Sequence, residues 1–351
     1  MNKILTIILA MTAMCVVVSC SDDEDGYSGA EPVSITSNTA SILPAIASSA
    51  TIVVDASSAI SVTTSVSWCT TSIDGNVITV AVTENPSIES RCAIVTIKDG
   101  DRKCDVSVLQ RGQVFDLSAP SDNDIFVGAE LVYPMTHTGT VTATSEESWI
   151  SAIVEDEALR VTIEDNTSGT DREGTLVVKA GNITEELHFY QYDAGNVFGA
   201  YTLSGKNAGG TAAVSYDGTL SISEDGKSLV FATTVSGTNY ELPLAFESTG
   251  DVTFAAGTAC GMVGRYYLYT AVGSATANNG RGAQFKTRGS LSGKLHKPEG
   301  GVMECVLSDN GSVEGYTIDL IRLNRYTVEN ITESSSATNI FTVRDPVLRK
   351  K

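Results

Sequence analysis

Basic residues are scarce in this chain. Twenty-three Lys and Arg face 42 Asp and Glu, a formal charge of −19 over 351 residues. No basic stripe breaks that pattern, so a phosphate backbone would be repelled and no nucleic-acid partner is expected. Histidine is scarcer: His137, His188 and His296 stand far apart. No cysteine pair has metal-site spacing, so neither a metal nor a cofactor is expected. Catalytic signatures are missing too: no Gly-x-Ser-x-Gly elbow, His-Glu-x-x-His or phosphate loop appears. "NNGRGAQF", within the Gly/Asn-rich stretch Val272 to Phe285, lacks the Lys-Ser/Thr end of a phosphate loop. Glycosidase carboxylates need not be neighbours in sequence, but nothing here nominates a catalytic residue, and the expectation is a chain that is not an enzyme.

What is present begins with "MNKILTIILAMTAMCVVVSC". Lys3 precedes an apolar run of signal-peptide length that ends in Val-Val-Ser-Cys. That ending resembles the bacterial lipobox and implies cleavage after residue 19 and diacylation of Cys20. The next residues, Ser21, Asp22, Asp23, Glu24 and Asp25, resemble the acidic signal that sends Bacteroidetes lipoproteins to the outer face of the outer membrane. A charge-rich stretch is also a solvated tether on physical grounds. Residues 1–19 are thus expected as signal and 20–32 as tether. The expected location is the outer membrane, lipid-anchored and exposed at the cell surface.

Beyond Cys15 and Cys20, five cysteines remain: Cys69, Cys92, Cys104, Cys260 and Cys305. An odd number leaves at least one free thiol within the chain. Cys260 and Cys305 are the one pair in their region, and an exported protein could bridge them.

The two tryptophans, Trp68 and Trp149, stand 81 residues apart. The same offset joins Asn85 to Asn166, Arg91 to Arg172, Gly100 to Gly181 and Gln110 to Gln191. Five coincidences without a gap define two tandem modules, 33–112 and 113–193. Both alternate β-branched and polar residues, as in "VITVAV" and "LRVTIE", which predicts strands. "CAIVTIKDGDRKCDVSVLQ" predicts a hairpin around an Asp-Gly turn. Eighty residues of short strands predict a β-sandwich.

The order Ser-Trp, strand, acid-Asn, Arg, strand, Gly, strand and terminal Gln is similar to the BACON domain. Trp68, Glu84, Asn85, Arg91, Gln110 and Gly112 match in the first copy, and Trp149, Asn166, Arg172 and Gln191 in the second. Tyr192-Asp193 departs from the usual ending. The resemblance implies an immunoglobulin-like sandwich and a carbohydrate-binding role, with some relatives acting as spacers. On the residues themselves, Val62, Thr64, Val66 and Trp68 share one strand face, which predicts a core Trp rather than a sugar platform. The repeated Asn and Arg are expected to cap turns and bond carbonyls. Across the offset, Cys92 and Cys104 correspond to Glu173 and Glu185, so both are expected near the surface.

Residues 194–327 hold further strand-like runs, with Asp-Gly turns expected at "YDGT" and "EDGK". The expected fold is all-β: two immunoglobulin-like sandwiches, then an antiparallel barrel or sandwich. The tail, 328–351, is expected either to add an edge strand or to stay disordered. "GRYYLYTA" places Arg265, Tyr267 and Tyr269 on one strand face as candidate glycan contacts. The functional expectation is a surface lipoprotein that captures glycan through its third domain, with the sandwiches as spacer. The alternative is a structural or adhesive module that binds a protein partner in an outer-membrane complex.

Overall fold

The computed structural model describes residues 32–276 and 283–351. Cys20, Ser21, Asp22, Asp23, Glu24 and Asp25 lie outside the described residues, as does part of the Gly/Asn-rich stretch. The chain divides into two compact units. The smaller contains Ser48–Thr83, Cys92–Leu109 and the chain up to Leu43; the larger contains Pro44–Ala47, Glu84–Arg91 and Gln110–Lys351.

The first sandwich comprises β1 (Ser34–Asn38), β2 (Ile42–Leu43), β3 (Ser48–Asp55), β4 (Ile60–Thr64), β5 (Cys69–Asp74), β6 (Val77–Val82), β7 (Arg91–Asp99) and β8 (Arg102–Gln110). Its sheets run β1-β3-β6-β5 and β2-β8-β7-β4. Alternation does the work: Ile78, Val80 and Val82 of β6 point inward against Ala93, Val95 and Ile97 of β7.

The second sandwich comprises β9 (Phe115–Leu117), β10 (Asp122–Ile125), β11 (Ala129–His137), β12 (Val141–Ser145), β13 (Ile150–Val154), β14 (Ala158–Ile163), β15 (Arg172–Ala180) and β16 (Ile183–Gln191). Its sheets run β9-β11-β14-β13 and β10-β16-β15-β12. Strand for strand, this is the order of the first sandwich. The module therefore repeats in topology as well as in sequence. In each copy the first two short strands belong to opposite sheets, and β10 lies parallel to β16.

The hairpin turn falls one residue later than expected. The two-residue loop is Gly100-Asp101, and Gly100 has φ +60°; its counterpart Gly181 has φ +56°. Left-handed backbone favours glycine there. Asp99 thus ends β7 as a buried residue. Its carboxylate accepts from the Ser58 hydroxyl and from the N–H groups of Ser57 (3.0 Å) and Ser58 (3.1 Å), and pairs with Arg102.

After the short helix α1 (Ala194–Val197), the chain forms one curled sheet. Its strands are β17 (Gly199–Lys206), β18 (Ala213–Ile222), β19 (Ser228–Val235), β20 (Thr238–Phe246), β21 (Asp251–Ala255), β22 (Ala259–Val263), β23 (Tyr266–Ser274), β24 (Gln284–Lys286), β25 (Ser290–Lys294), β26 (Glu304–Val306), β27 (Ser308–Asp309), β28 (Leu320–Tyr326) and β29 (Ala337–Lys350). β29 to β21 run in the order β29-β17-β18-β19-β20-β21, followed by β25 and β27. Because β26 pairs with β29, the segment 304–309 joins both ends of that run and the sheet closes on itself. β28, β23, β22 and β24 extend it from the other side of β29. One core fills it, including Tyr201, Phe231, Phe254, Leu291, Leu323 and Phe341.

Two expectations are corrected. "YDGT" is not a turn, since Asp217 and Gly218 lie inside β18. Gly218 is needed for space: a Cβ there would sit 2.3 Å from the Ala232 carbonyl oxygen and 2.7 Å from the Phe231 ring. Gly226 of "EDGK" does turn, with φ +70°. The tail is neither an edge strand nor disordered. β29 is an internal strand paired with β17, β26 and β28.

Two outcomes follow from this packing. Phe341→Ala, in the middle of β29, should cost about 3–5 kcal/mol, read as a lowered denaturant midpoint. The Asp99 carboxyl is held below the usual carboxylate range, first by the Ser58 hydroxyl and then by the Ser57 N–H. Its stabilisation is present above the unfolded pKa of about 3.9 and is lost as pH falls through the depressed folded value. Asp99→Asn should therefore lower stability at pH 7 and shallow the acid branch of the stability curve; an unchanged acid branch contradicts the assignment.

Candidate functional site

The repeated residues form the same lock in each sandwich. Asn166 is buried; its Nδ2 donates to the Thr170 and Gln191 carbonyls (2.8 and 3.3 Å), and its Oδ1 accepts from the Ser168 N–H. Asn85 repeats this with the Glu89 and Arg111 carbonyls and the Ser87 N–H. Arg172 Nε donates to Gln191 Oε1 at 2.8 Å, as Arg91 Nε does to Gln110 Oε1. The Arg172 Nη2 reaches the Glu164 carbonyl and Arg91 Nη2 the Glu84 carbonyl. These groups satisfy buried carbonyls, which is a structural task.

Trp149 is a core residue, with the Arg172 guanidinium 4.3 Å from its ring centroid. Gly174 makes room for the ring, since a Cβ there would lie 2.8 Å from it. Trp68 is half-buried against the core of its own sandwich. The departure at Tyr192-Asp193 also has a cause. Tyr192 stacks on Phe126 at 4.8 Å within the core of the curled sheet, and Asp193 caps α1 by accepting from the Gly195 N–H.

The oxygen-rich loop Asp165–Asp171 is engaged internally. Asp165 accepts from the Gly128 N–H, and Asp171 from the Asp193 N–H, Asn196 Nδ2 and Tyr190 OH. The five described cysteines are free thiols, so Cys260 and Cys305 are not bridged. Burial pushes both thiols up to about 12. Cys92 is exposed and Cys104 half-buried, in keeping with their charged sister positions.

The Arg265, Tyr267 and Tyr269 set does not assemble. Arg265 sits in the two-residue turn between β22 and β23 and donates to the Tyr266 hydroxyl at 3.3 Å. Tyr269 donates to the Glu329 carbonyl at 2.6 Å and meets Tyr326 edge-on at 5.9 Å. Tyr267 and Tyr269 nevertheless belong to a richer surface. Register places Tyr267 opposite Tyr326, Tyr269 opposite Asn324 and Ala271 opposite Arg322. Leu268, Val272, Ile321 and Leu323 point the other way, into the core. The outer face of β23 and β28 therefore carries three tyrosines, an asparagine and an arginine, of which Tyr326 and Asn324 are buried and Tyr267, Tyr269 and Arg322 partly exposed. Arg322 came from "IDLIRLNRY", where the alternation of Arg322, Asn324 and Tyr326 against Ile321 and Leu323 was the available signal.

Arg322 is half-buried. Its Nε donates to Thr342 Oγ1 at 2.9 Å, and its guanidinium carbon lies 3.2 Å from the Phe285 ring centroid. Gly273 allows this, since a Cβ there would lie 2.7 Å from Phe285. Desolvation pushes Arg322 down to about 10.

A second surface lies on the outer face of sheet β10-β16-β15-β12. Asp122, Asp124, Glu173, Thr175, His188 and Tyr190 line a cleft of about 360 Å³, with Lys294 also on its wall. The His188 ring bonds Thr175 Oγ1 at 3.1 Å. Among the described residues no group of three or more His, Cys, Asp or Glu is placed to hold a metal.

The family model "BACON: Putative binding domain, N-terminal" matches residues 139–191, which span β12 to β16. No curated protein matches the chain. Among solved structures, the chain is similar to the I9–I11 tandem from titin at 10% identity, covering 63% of this chain and 94% of that one, with a TM-score of 0.34. An E-to-A variant of titin I67–I69 matches at 8% identity over 90% and 98%, with a TM-score of 0.26. An endo-fucoidan hydrolase of glycoside hydrolase family 107 matches at 11% identity over 43% and 32%, with a TM-score of 0.20.

The lock gives a direct test by chemical denaturation. Gln191→Leu strands the Arg172 Nε and should cost about 1–3 kcal/mol. Trp149→Ala should cost about 3–5 kcal/mol. Arg265→Ala, in an exposed turn, should change stability by less than about 0.5 kcal/mol.

Proposed function

We propose that this chain is a non-catalytic binding protein that captures saccharide on the outer face of β23 and β28. The carrying observation is the grouping of the partly exposed Tyr267, Tyr269 and Arg322 on one face of the β23–β28 pair, over the buried Tyr326 and Asn324. Sugars offer apolar C–H faces to aromatic rings and hydroxyls to fixed amides and guanidinium groups. The tryptophans and the repeated Asn, Arg and Gln are committed to packing, which supports a spacer role for the sandwiches. The proposal includes diacylation at Cys20, export directed by Ser21–Asp25, and display at the surface of a Bacteroidetes outer membrane. On this reading both sandwiches are BACON domains.

A second reading puts the ligand in the acid-lined cleft, because that cleft lies largely on the segment matched by the binding-domain model. Calorimetry of the full chain against a panel of plant and host oligosaccharides separates the two. Tyr267→Ala should abolish detectable binding while leaving the melting temperature within a few degrees of wild type. Loss with Asp124→Asn and Glu173→Gln, but not with Tyr267→Ala, would move the site to the cleft. For the anchor, Cys20→Ala should release the protein from membranes; a mutant still acylated and membrane-bound would refute lipidation there.

A further inference from the structure

The environment of Arg322 is unusual for so acidic a chain. Three arginines of the larger unit pair with carboxylates: Arg344 meets Asp319 at 3.0 Å, Arg349 meets Glu304 at 2.7 Å, and Arg160 meets Glu130 and Glu155. Arg172, stacked on Trp149 as Arg322 is on Phe285, pairs with none among the described residues, but its Nη2 bonds the Glu164 and Asp165 carbonyls. Among the described residues no carboxylate pairs with Arg322, although it is half-buried. Its Nε is occupied by a neutral hydroxyl and one flat face by Phe285. That leaves the forked Nη edge to meet a ligand. A cation removed from water without a counter-charge is costly, and an arriving anion relieves that cost.

The neighbours agree in sign. Thr342 and Asn324 are buried and neutral, and they flank Arg322 on β29 and along β28. Among the described residues Asn324 Oδ1 has no hydrogen-bond partner, although the residue is only 3% exposed. That oxygen would accept from a ligand hydroxyl or from water. The group carries one positive charge, an open fork and an unsatisfied acceptor beside tyrosines. A purely structural role for Arg322, holding Phe285 over β23, explains the stacking but not the absence, among the described residues, of the carbonyl partners that the Arg172 Nη2 has.

We propose that Arg322 is the receptor for a carboxylate or sulfate group on an acidic saccharide. This rests on the saccharide reading above and adds the ligand's charge class. A planar carboxylate or a sulfate edge accepts two parallel bonds from the Nη groups, geometry that lysine cannot reproduce.

The test is calorimetry on the full chain with oligogalacturonate, its methyl ester and a sulfated galactan oligomer. Oligogalacturonate or the sulfated oligomer should bind, and the ester at least tenfold more weakly. Arg322→Gln should lose at least tenfold for the anionic ligand, and Arg322→Lys should lose part of that while keeping the charge. Equal affinity for acid and ester, or an unaffected Arg322→Gln variant, overturns the proposal. Should Arg322→Gln misfold, Arg322→Lys alone decides it: unchanged anion affinity overturns the fork. If neutral oligosaccharides bind and anionic ones do not, the saccharide reading stands and this one falls. If no saccharide binds, inorganic sulfate is the deciding probe. A melting temperature raised by sulfate in wild type but not in Arg322→Gln keeps the anion receptor and removes the saccharide. No sulfate-specific shift removes both.

Discussion

β29 can serve three neighbours because it changes partners at one point. Up to Arg344 it pairs with β28; beyond Asp345-Pro346 its Val347, Leu348 and Arg349 pair with β26, while β17 follows the other edge. Pro346 has no N–H to donate, and Asp345 adopts φ +49°. The break is bridged by neighbours: the Asp345 N–H reaches the Asp319 carbonyl, and the Leu307 N–H reaches the Pro346 carbonyl. A straight strand would have extended one ladder and left the sheet open. The bulge lets one strand close the curled sheet and also carry the β28–β23 extension. The candidate surface of Tyr267, Asn324 and Arg322 lies on that extension, so its geometry depends on this irregularity.

The sandwiches follow a different logic. Their terminal Gln receives Arg Nε, while the buried Asn ties the loop before Arg to the end of the last strand. Each group meets a backbone carbonyl or another lock residue, so losing one partner strands another. That mutual dependence accounts for Asn, Arg and Gln at fixed spacing in both copies without invoking a ligand. What differs between copies is local. The first keeps Gly112, where a Cβ would meet the Ile88 carbonyl oxygen at 1.9 Å. The second replaces that ending with Tyr192, which enters the core of the curled sheet.

The duplication and the strand character were legible because both rest on period: 81 residues for the module and two for the strand. β6 spans Val77–Val82, the same residues as "VITVAV". The hidden features were those in which tertiary packing overrides a local signal. Asp217-Gly218 has turn composition, yet Gly218 is a strand glycine spared a side chain to admit Phe231. "IFTVRDPVLRKK" carries a proline and clustered bases, which usually mark an edge or a tail. Lys350 instead donates to the Gly195 and Phe198 carbonyls at 2.6 Å. The candidate surface was half legible. Alternation placed Tyr267 and Tyr269 together, but the arginine beside them comes from a strand more than fifty residues later. Arg265 is the arginine nearest to them in sequence, but the turn at Gly264 removes it from that face.

The net charge of −19 opposes an anionic ligand only at long range. At physiological ionic strength the Debye length is about 8 Å, so any carboxylate much farther than that from Arg322 contributes little there. What matters there is what touches the guanidinium, namely the Thr342 hydroxyl and the Phe285 ring. In a partly desolvated setting, one guanidinium at contact distance outweighs many screened charges far away. The acid-lined cleft presents the opposite case, with Asp122, Asp124 and Glu173 close together, and it would reject the ligands that Arg322 favours. The two surfaces of the larger unit are thus electrostatically exclusive. The sign of the ligand's charge therefore discriminates between them before any atomic contact is known.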